Sequence, residues 1–221
     1  MLNRSQAANR VSSSTDSRRS RDKLDCLNAI QFKDRRVLRA VYGLPWEVFD
    51  EGPSPFMGQR MGVLVRMLEA LELRGSEKVL DIGTGAGFRA ALLGSLSAKV
   101  HSVELLPTVA AAATQRLEKL RYKNVEVVEG DGSRGWSTFA PYDAIIVGAA
   151  SPYVPEQLLH QLVDGGRLVI PIGDANGQLL ERLRRRDIAI DSTTIMACML
   201  KPLALRAARV SSVPWLQIPN A

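Results

Sequence analysis

The chain alternates between short apolar runs and stretches of helical periodicity. Ahead of position 45, Leu24, Leu27, Ile30, Val37, Leu38 and Val41 recur at roughly helical spacing until Gly43 and Pro45 interrupt them, which predicts one or two short helices. The Gly- and Pro-bearing segment 50–55 reads as a turn. Residues 61–73 read as an amphipathic helix with Val63, Leu64, Met67, Leu68 and Leu71 on one face. From Lys78 onward the period switches repeatedly, predicting strands at 78–82, 100–104, 125–128, 142–148 and 167–172 and helices at 88–97, 108–120 and 155–162. Strands of this apolar, β-branched kind, alternating with helices, are the pattern of a parallel sheet covered on both faces. The expected fold class is therefore α/β, a doubly wound, mostly parallel, Rossmann-like sheet.

Residues 178–186 and 188–199 carry no clear helical period and meet at a charged run, 182–187. That suits an antiparallel C-terminal hairpin added to the sheet edge, although the arginines also fit a solvated helical face. The organisation expected is a leader at 1–22 and one domain at 23–221. That domain divides into an N-terminal helical segment (23–75), a ligand-binding core (76–175) and C-terminal strands (176–221).

Charge changes this picture little. The formal net charge is +6, but residues 1–22 hold five arginines against Asp16 and Asp22, so half of it sits in a Ser-rich leader without apolar periodicity. Such a composition is shared by organellar transit peptides and plain disordered tails. The remaining domain is only mildly basic, which disfavours nucleic acid as a partner. Cys26 and Cys198 form no disulfide framework, and no apolar run approaches the roughly 18 residues that span a bilayer. A monomer in the cytoplasm, without a membrane partner, is expected.

The candidate chemistry lies where the first core strand runs into Gly83-Thr84-Gly85-Ala86-Gly87 and then a helix. Glycines there let backbone N–H groups approach a nucleotide-like ligand and permit positive φ. A dinucleotide fingerprint needs its third glycine one position later, where Phe88 stands. The tighter loop suits S-adenosylmethionine, which has no pyrophosphate to cradle. Glu104, about 20 residues on at the end of the second strand, is placed to take both ribose hydroxyls of either NAD or S-adenosylmethionine. Asp131, ending the third strand in Glu129-Gly130-Asp131-Gly132, is placed to accept from the adenine amino group. His101, inside a strand, reads as a satisfied or edge histidine, and His160 as a surface one. Two histidines without cysteine or acidic partners at ligand spacing make no metal site.

The run from Val79 to Phe88, with Ala90-Ala91-Leu92-Leu93 and Ser102-Val103-Glu104, resembles the protein-L-isoaspartate O-methyltransferase family. So do Asn124-Val125-Glu126-Val127-Val128-Glu129-Gly130-Asp131-Gly132-Ser133, Gly135-Trp136, the run from Ala140 to Val147, Pro155-Glu156-Gln157-Leu158-Leu159 and the run from Gly165 to Gly173. The likeness covers roughly 67–186. It implies a class I methyltransferase, with cofactor S-adenosyl-L-methionine held by Asp81, Gly83, Thr84, Gly85, Gly87, Glu104, Leu105, Asp131 and Gly132. The activity implied is methylation of a carboxylate of altered aspartyl residues in polypeptides, a protein-repair reaction.

Upstream, Asp34 to Ala40 and Pro45 to Phe49 resemble the family's N-terminal helix and following turn. The family then carries a longer segment ending in a Thr-Ile-Ser-Gln-Pro motif whose serine is regarded as catalytic, whereas this chain reads Phe56-Met57-Gly58-Gln59-Arg60-Met61. By position the serine falls at Gln59, expected to be a substrate-binding residue, and no residue is assigned as catalytic. The departure leaves open a different carboxylate or a small molecule as acceptor, or a cofactor-binding interaction module without turnover.

Overall fold

A computed structural model of the chain describes residues 31–44 and 57–203. The leader, the 50–55 turn, Ser54, Trp46 and Trp215 lie outside these residues. Helix α1 (Arg35–Gly43) begins at Asp34, whose Oδ1 accepts from the Arg36 N–H at 2.7 Å, so a short acidic side chain supplies the N-cap. Helix α2 (Met57–Ala70) follows, starting four residues ahead of the amphipathic stretch. The core then runs β1 (Lys78–Ile82), α3 (Phe88–Leu96), β2 (Lys99–Glu104), α4 (Pro107–Lys119), β3 (Val125–Glu129), β4 (Tyr142–Val147), α5 (Glu156–His160), β5 (Leu162–Gly173), β6 (Gln178–Arg186) and β7 (Ala189–Cys198).

The strands form one seven-stranded sheet in the order β3-β2-β1-β4-β5-β6-β7. The first five are parallel, and β6 pairs antiparallel with both β5 and β7. The chain therefore starts at the centre, winds outward to β3, crosses back to β4, and closes with the expected hairpin. The helical alternative for the arginine run is set aside by geometry. Arg182 and Arg184 project from one face of β6 to the carboxylate of Glu72, and Arg185 on the other face donates to the Leu162 carbonyl at 2.7 Å.

One face of the sheet is packed by α1 to α4 through Val41, Val65, Leu71, Leu92, Leu93 and Leu117 against Val79, Val100, Ala144 and Ile146. The other packs Leu80, Val103, Ile145 and Ile170 under Leu158 and Leu159 of α5, with Trp136 at its rim. β1 and β4 are buried from end to end on both faces, which explains why their sequences show no alternation.

Two further boundaries differ from the periodicity. The helix expected at 155–162 ends at His160, and β5 starts at Leu162 rather than 167. Leu162 pairs with Tyr142, and the register then shifts before Ala144 meets Arg167, so the Gly165-Gly166 pair is absorbed as an irregularity inside the strand. Gly165 has φ +75°, a conformation that strand-forming residues avoid.

Candidate cofactor site

The parallel strands β1, β2, β3 and β4 end along one edge, where their connections turn outward. The loop after β1 is closed by Gly83 and Thr84 N–H groups donating to the Val103 carbonyl at 2.8 and 3.3 Å. Gly83, Gly85 and Gly87 have φ of +88°, +54° and +89°, so each glycine of the loop holds a backbone conformation that a side chain would strain. Gly87 serves as N-cap of α3, and Leu117 of α4 packs 3.5 Å from the position of a Cβ there. The spacing is thus set by a tight turn and by helix packing together.

Beneath the loop lies a sealed polar chain. Asp81 is fully buried, with Oδ1 accepting from Arg89 Nε at 2.5 Å and Oδ2 from Ser102 Oγ at 2.7 Å. Ser102 Oγ in turn shares a 2.6 Å hydrogen bond with Thr84 Oγ1. A buried ion pair of this kind costs on the order of 3–5 kcal/mol to break from one side, because the other charge is left uncompensated. Asp81 and Thr84, both expected to bind the cofactor, have their side chains engaged in this chain, which ties Arg89 to the end of β1 and the loop to β2. Neither Ser102 nor Arg89 was picked out by sequence reasoning. The available signal was a charged residue two positions after the third glycine, whose side chain must lean back toward the helix start.

Glu104 ends β2 with about nine-tenths of its surface covered. Its Oε2 accepts from Gly85 N–H at 2.9 Å and its Oε1 from Leu106 N–H at 3.1 Å, so it clamps the glycine loop to the start of the next connection. Each oxygen keeps a lone pair for a hydroxyl donor. Leu105 and Leu106, just beyond it, are 37% and 55% exposed, an apolar shelf beside the acid. Asp131 caps a single 3-10 turn, Gly132–Arg134, by accepting from Ser133 N–H at 3.1 Å and Ser133 Oγ at 2.7 Å, both on Oδ1. Its Oδ2 is buried and has no hydrogen-bond partner among the described residues. A sealed carboxylate oxygen with nothing donating to it is costly unless a ligand supplies a donor. Gly132 sits against Ile82, where a Cβ would overlap Cγ2, so the third strand's turn is pressed onto the end of the first.

The edge therefore presents a buried, unpartnered acceptor beyond β3, a clamped acid beyond β2 and a glycine loop beyond β1. The model of the family described as protein-L-isoaspartate(D-aspartate) O-methyltransferase matches residues 59–208. The chain belongs to this family. Protein-L-isoaspartate O-methyltransferase 2 of Pelobacter propionicus is 48% identical over 169 residues, covering 70% of this chain and 75% of that protein. The Koribacter versatilis protein-L-isoaspartate O-methyltransferase is 40% identical over 185 residues, covering 77% and 83%.

Solved structures agree on the fold. One protein-L-isoaspartate O-methyltransferase superposes with a TM-score of 0.73 at 23% identity, over 84% of this chain and 66% of that one. A Plasmodium falciparum structure of that description, in complex with S-adenosyl-L-homocysteine, gives 0.65 at 18% identity over 78% and 91%. As a family member the chain is an S-adenosylmethionine-dependent methyltransferase, and the buried, unpartnered Asp131 Oδ2 with the clamped Glu104 fits the donors of an adenosine moiety.

Other residues singled out in the sequence fall away from this edge. His160 is exposed, 3.3 Å from Glu156 one helical turn earlier. His101 is buried, as a strand position implies; among the described residues its Nδ1 has no hydrogen-bond partner, and the ring stacks on Phe139 with centroids 4.3 Å apart. Burial pushes its pKa below the usual histidine value, with Lys99 and Lys78 adding to the shift and Glu126 opposing it. Gln59 lies in the first turn of α2, and its side chain is outside the described residues. Among the described residues no cluster of His, Cys, Asp and Glu could hold a metal, and no helix is long and apolar enough to cross a membrane.

Proposed function

We propose that this chain transfers a methyl group to the free carboxylate of isoaspartyl residues in polypeptides, the reaction for which its relatives are named. The observation that carries the cofactor half of this reading is the buried, unpartnered Asp131 Oδ2 on the same edge as the glycine loop. When bound, S-adenosylmethionine supplies an electrophilic sulfonium methyl.

The acceptor needs no base. A carboxyl group with an unperturbed pKa near ~4 is ionised at neutral pH and already nucleophilic. The protein's contribution is then alignment and exclusion of water, which supply several kcal/mol when the nucleophile is held near attack distance. Gln59 is the residue proposed to meet the acceptor. The Leu71 carbonyl, just past the end of α2, accepts from Arg167 Nε at 2.8 Å, and Arg167 sits level with Ala144 in the amino half of β4. That contact ties the C-terminal end of α2 to the amino half of the sheet.

A different carboxylate as acceptor is favoured by one observation: the family match begins at 59, so the segment before α2 lies outside it. A labelled-methyl assay on an isoaspartyl peptide, with the aspartyl isomer as control, separates the two. Base-labile label on the isoaspartyl peptide alone supports the repair reaction. Bound cofactor without label sends the search to another carboxylate or a small molecule, and bound cofactor without turnover on any acceptor leaves an interaction module. The active unit proposed is a monomer, because the loop, both acids and Gln59 come from one chain. A cytoplasmic location accompanies it and is checked by fractionation.

A further inference from the structure

We propose that Arg89 is the group that recognises the carboxylate at the cofactor's amino-acid end, making the site selective for ligands that carry it. The inference rests on reading the strand edge as an S-adenosylmethionine site. Arg89 is the second residue of α3, and three of its five N–H groups are committed. Nε donates to Asp81 Oδ1, and Nη2 donates to the carbonyls of Ile82 and Gly83, each at 2.8 Å. Nη1 makes no hydrogen bond among the described residues and is not sealed from solvent, the side chain being 13% exposed.

The position of Nη1 is enforced from the other side. It lies over Gly148, at the end of β4, where an added Cβ would overlap the guanidinium. A fork held by a buried carboxylate and two carbonyls, with its last pair of donors partly open to solvent beside a glycine, is preorganised to receive an anion.

The order of the strands says which anion. With Asp131 at the end of β3 and Glu104 at the end of β2, a ligand laid along the edge carries its adenine and ribose there. Its far end then reaches β1 and β4, the next two strands in the sheet and about three strand spacings, ~14 Å, from β3. That far end bears an ammonium and a carboxylate. The Ile82 carbonyl already accepts from both Nη2 and Gly148 N–H, while the Gly83 carbonyl and each Asp81 oxygen accept one donor. The donors left without a partner at the β1–β4 junction, among the described residues, are the Nη1 pair, and the carboxylate is the group complementary to them.

The test is calorimetric binding of three ligands to the wild-type chain and to Arg89→Gln. They are S-adenosylhomocysteine, its decarboxylated analogue, and 5′-methylthioadenosine, which lacks the amino-acid end. The wild type should prefer S-adenosylhomocysteine to the decarboxylated analogue by about tenfold or more. Arg89→Gln should erase most of that preference while leaving methylthioadenosine affinity within roughly twofold. Arg89→Lys should retain part of it.

Should Arg89→Gln not fold, Gly148→Ala keeps every charged group and only displaces the guanidinium, with the same loss of preference expected. Preference retained in the variants, or methylthioadenosine affinity lost in step with S-adenosylhomocysteine, would overturn the assignment and leave Arg89 a purely structural clip. Failure of the wild type to bind any of the three would instead overturn the reading of the edge.

Discussion

Replacing Asp131 by Asn changes one atom's chemistry and little else. The amide oxygen takes over Oδ1, which must stay an acceptor because Ser133 N–H and Oγ both donate to it. The 3-10 turn thus keeps its cap, and the buried, unpartnered Oδ2 becomes an NH2 group. If that oxygen meets the adenine amino group, the substitution removes a hydrogen bond to a charged acceptor, worth about 1.5–3 kcal/mol. At about 1.4 kcal/mol per decade, the affinity for S-adenosylhomocysteine falls roughly 10- to 150-fold.

A complementary ligand sharpens the test. In the inosine analogue a ring carbonyl stands where adenine has its amino group. The wild type would set two acceptors against each other, whereas Asp131→Asn would offer that carbonyl a donor. Calorimetry of both ligands on both proteins forms a closed cycle, and the predicted outcome is an inverted preference. Equal weakening of the two ligands would refute the reasoning, because it would mean that Asp131 acts only through its cap on Ser133. Unchanged affinities would refute it more simply.

Three further outcomes are expected. His101 has a folded pKa below its unfolded value, so its contribution to stability is complete above about pH 6.5 and is lost as the pH falls through that value, where the unfolded chain takes up a proton that the folded one resists. In chemical denaturation between pH 7.5 and 5, His101→Phe should therefore flatten the acid decline without loss at neutral pH, and an unchanged slope would count against the assignment. Gly132→Ala must displace Ile82 at the end of β1, so unfolding free energy should drop by about 1–3 kcal/mol and Asp131 should move with it, both read by thermal unfolding with and without S-adenosylhomocysteine. Gln59→Ala should raise KM for an isoaspartyl peptide while sparing cofactor affinity, and an unaltered KM would hand the acceptor to the rest of the segment before α2.

The legible part of this protein is the part set by local chemistry. The parallel core could be read because β1 and β4 are apolar on both faces, and the loop because only glycines tolerate φ near +88° and +89° where it turns. Glu104 and Asp131 were found by their places at strand ends. The rest depends on neighbours far away in sequence. Ser102 and Arg89 matter because both meet Asp81, 21 and 8 residues distant, and no period in the chain announces that meeting. The early start of β5 is invisible for a like reason: Leu162 is made a strand residue by Tyr142 across the ladder, against the helical pattern of its own segment. The arginine run resolved only when Glu72, 110 residues before Arg182, was seen to receive it.

The commitment of the acids also bears on which acceptors the site can serve. Asp81 is closed off by Arg89 and Ser102, and Glu104 is held by two backbone N–H groups. Asp131 faces the edge with a single buried oxygen, and His101 is sealed three residues below the end of β2. Among the described residues, each of these side chains is engaged in organising the edge or lies below it. An alcohol must lose a proton as it attacks the sulfonium carbon, and an ammonium before it does; a site whose acids are so engaged helps neither. A carboxylate arrives ionised and leaves as a neutral ester with no proton to move. The engagement of these groups is compatible with the acceptor for which the family is named. The rate on an isoaspartyl peptide should accordingly stay flat from pH 6 to 8, where a base-dependent acceptor would show a rising limb.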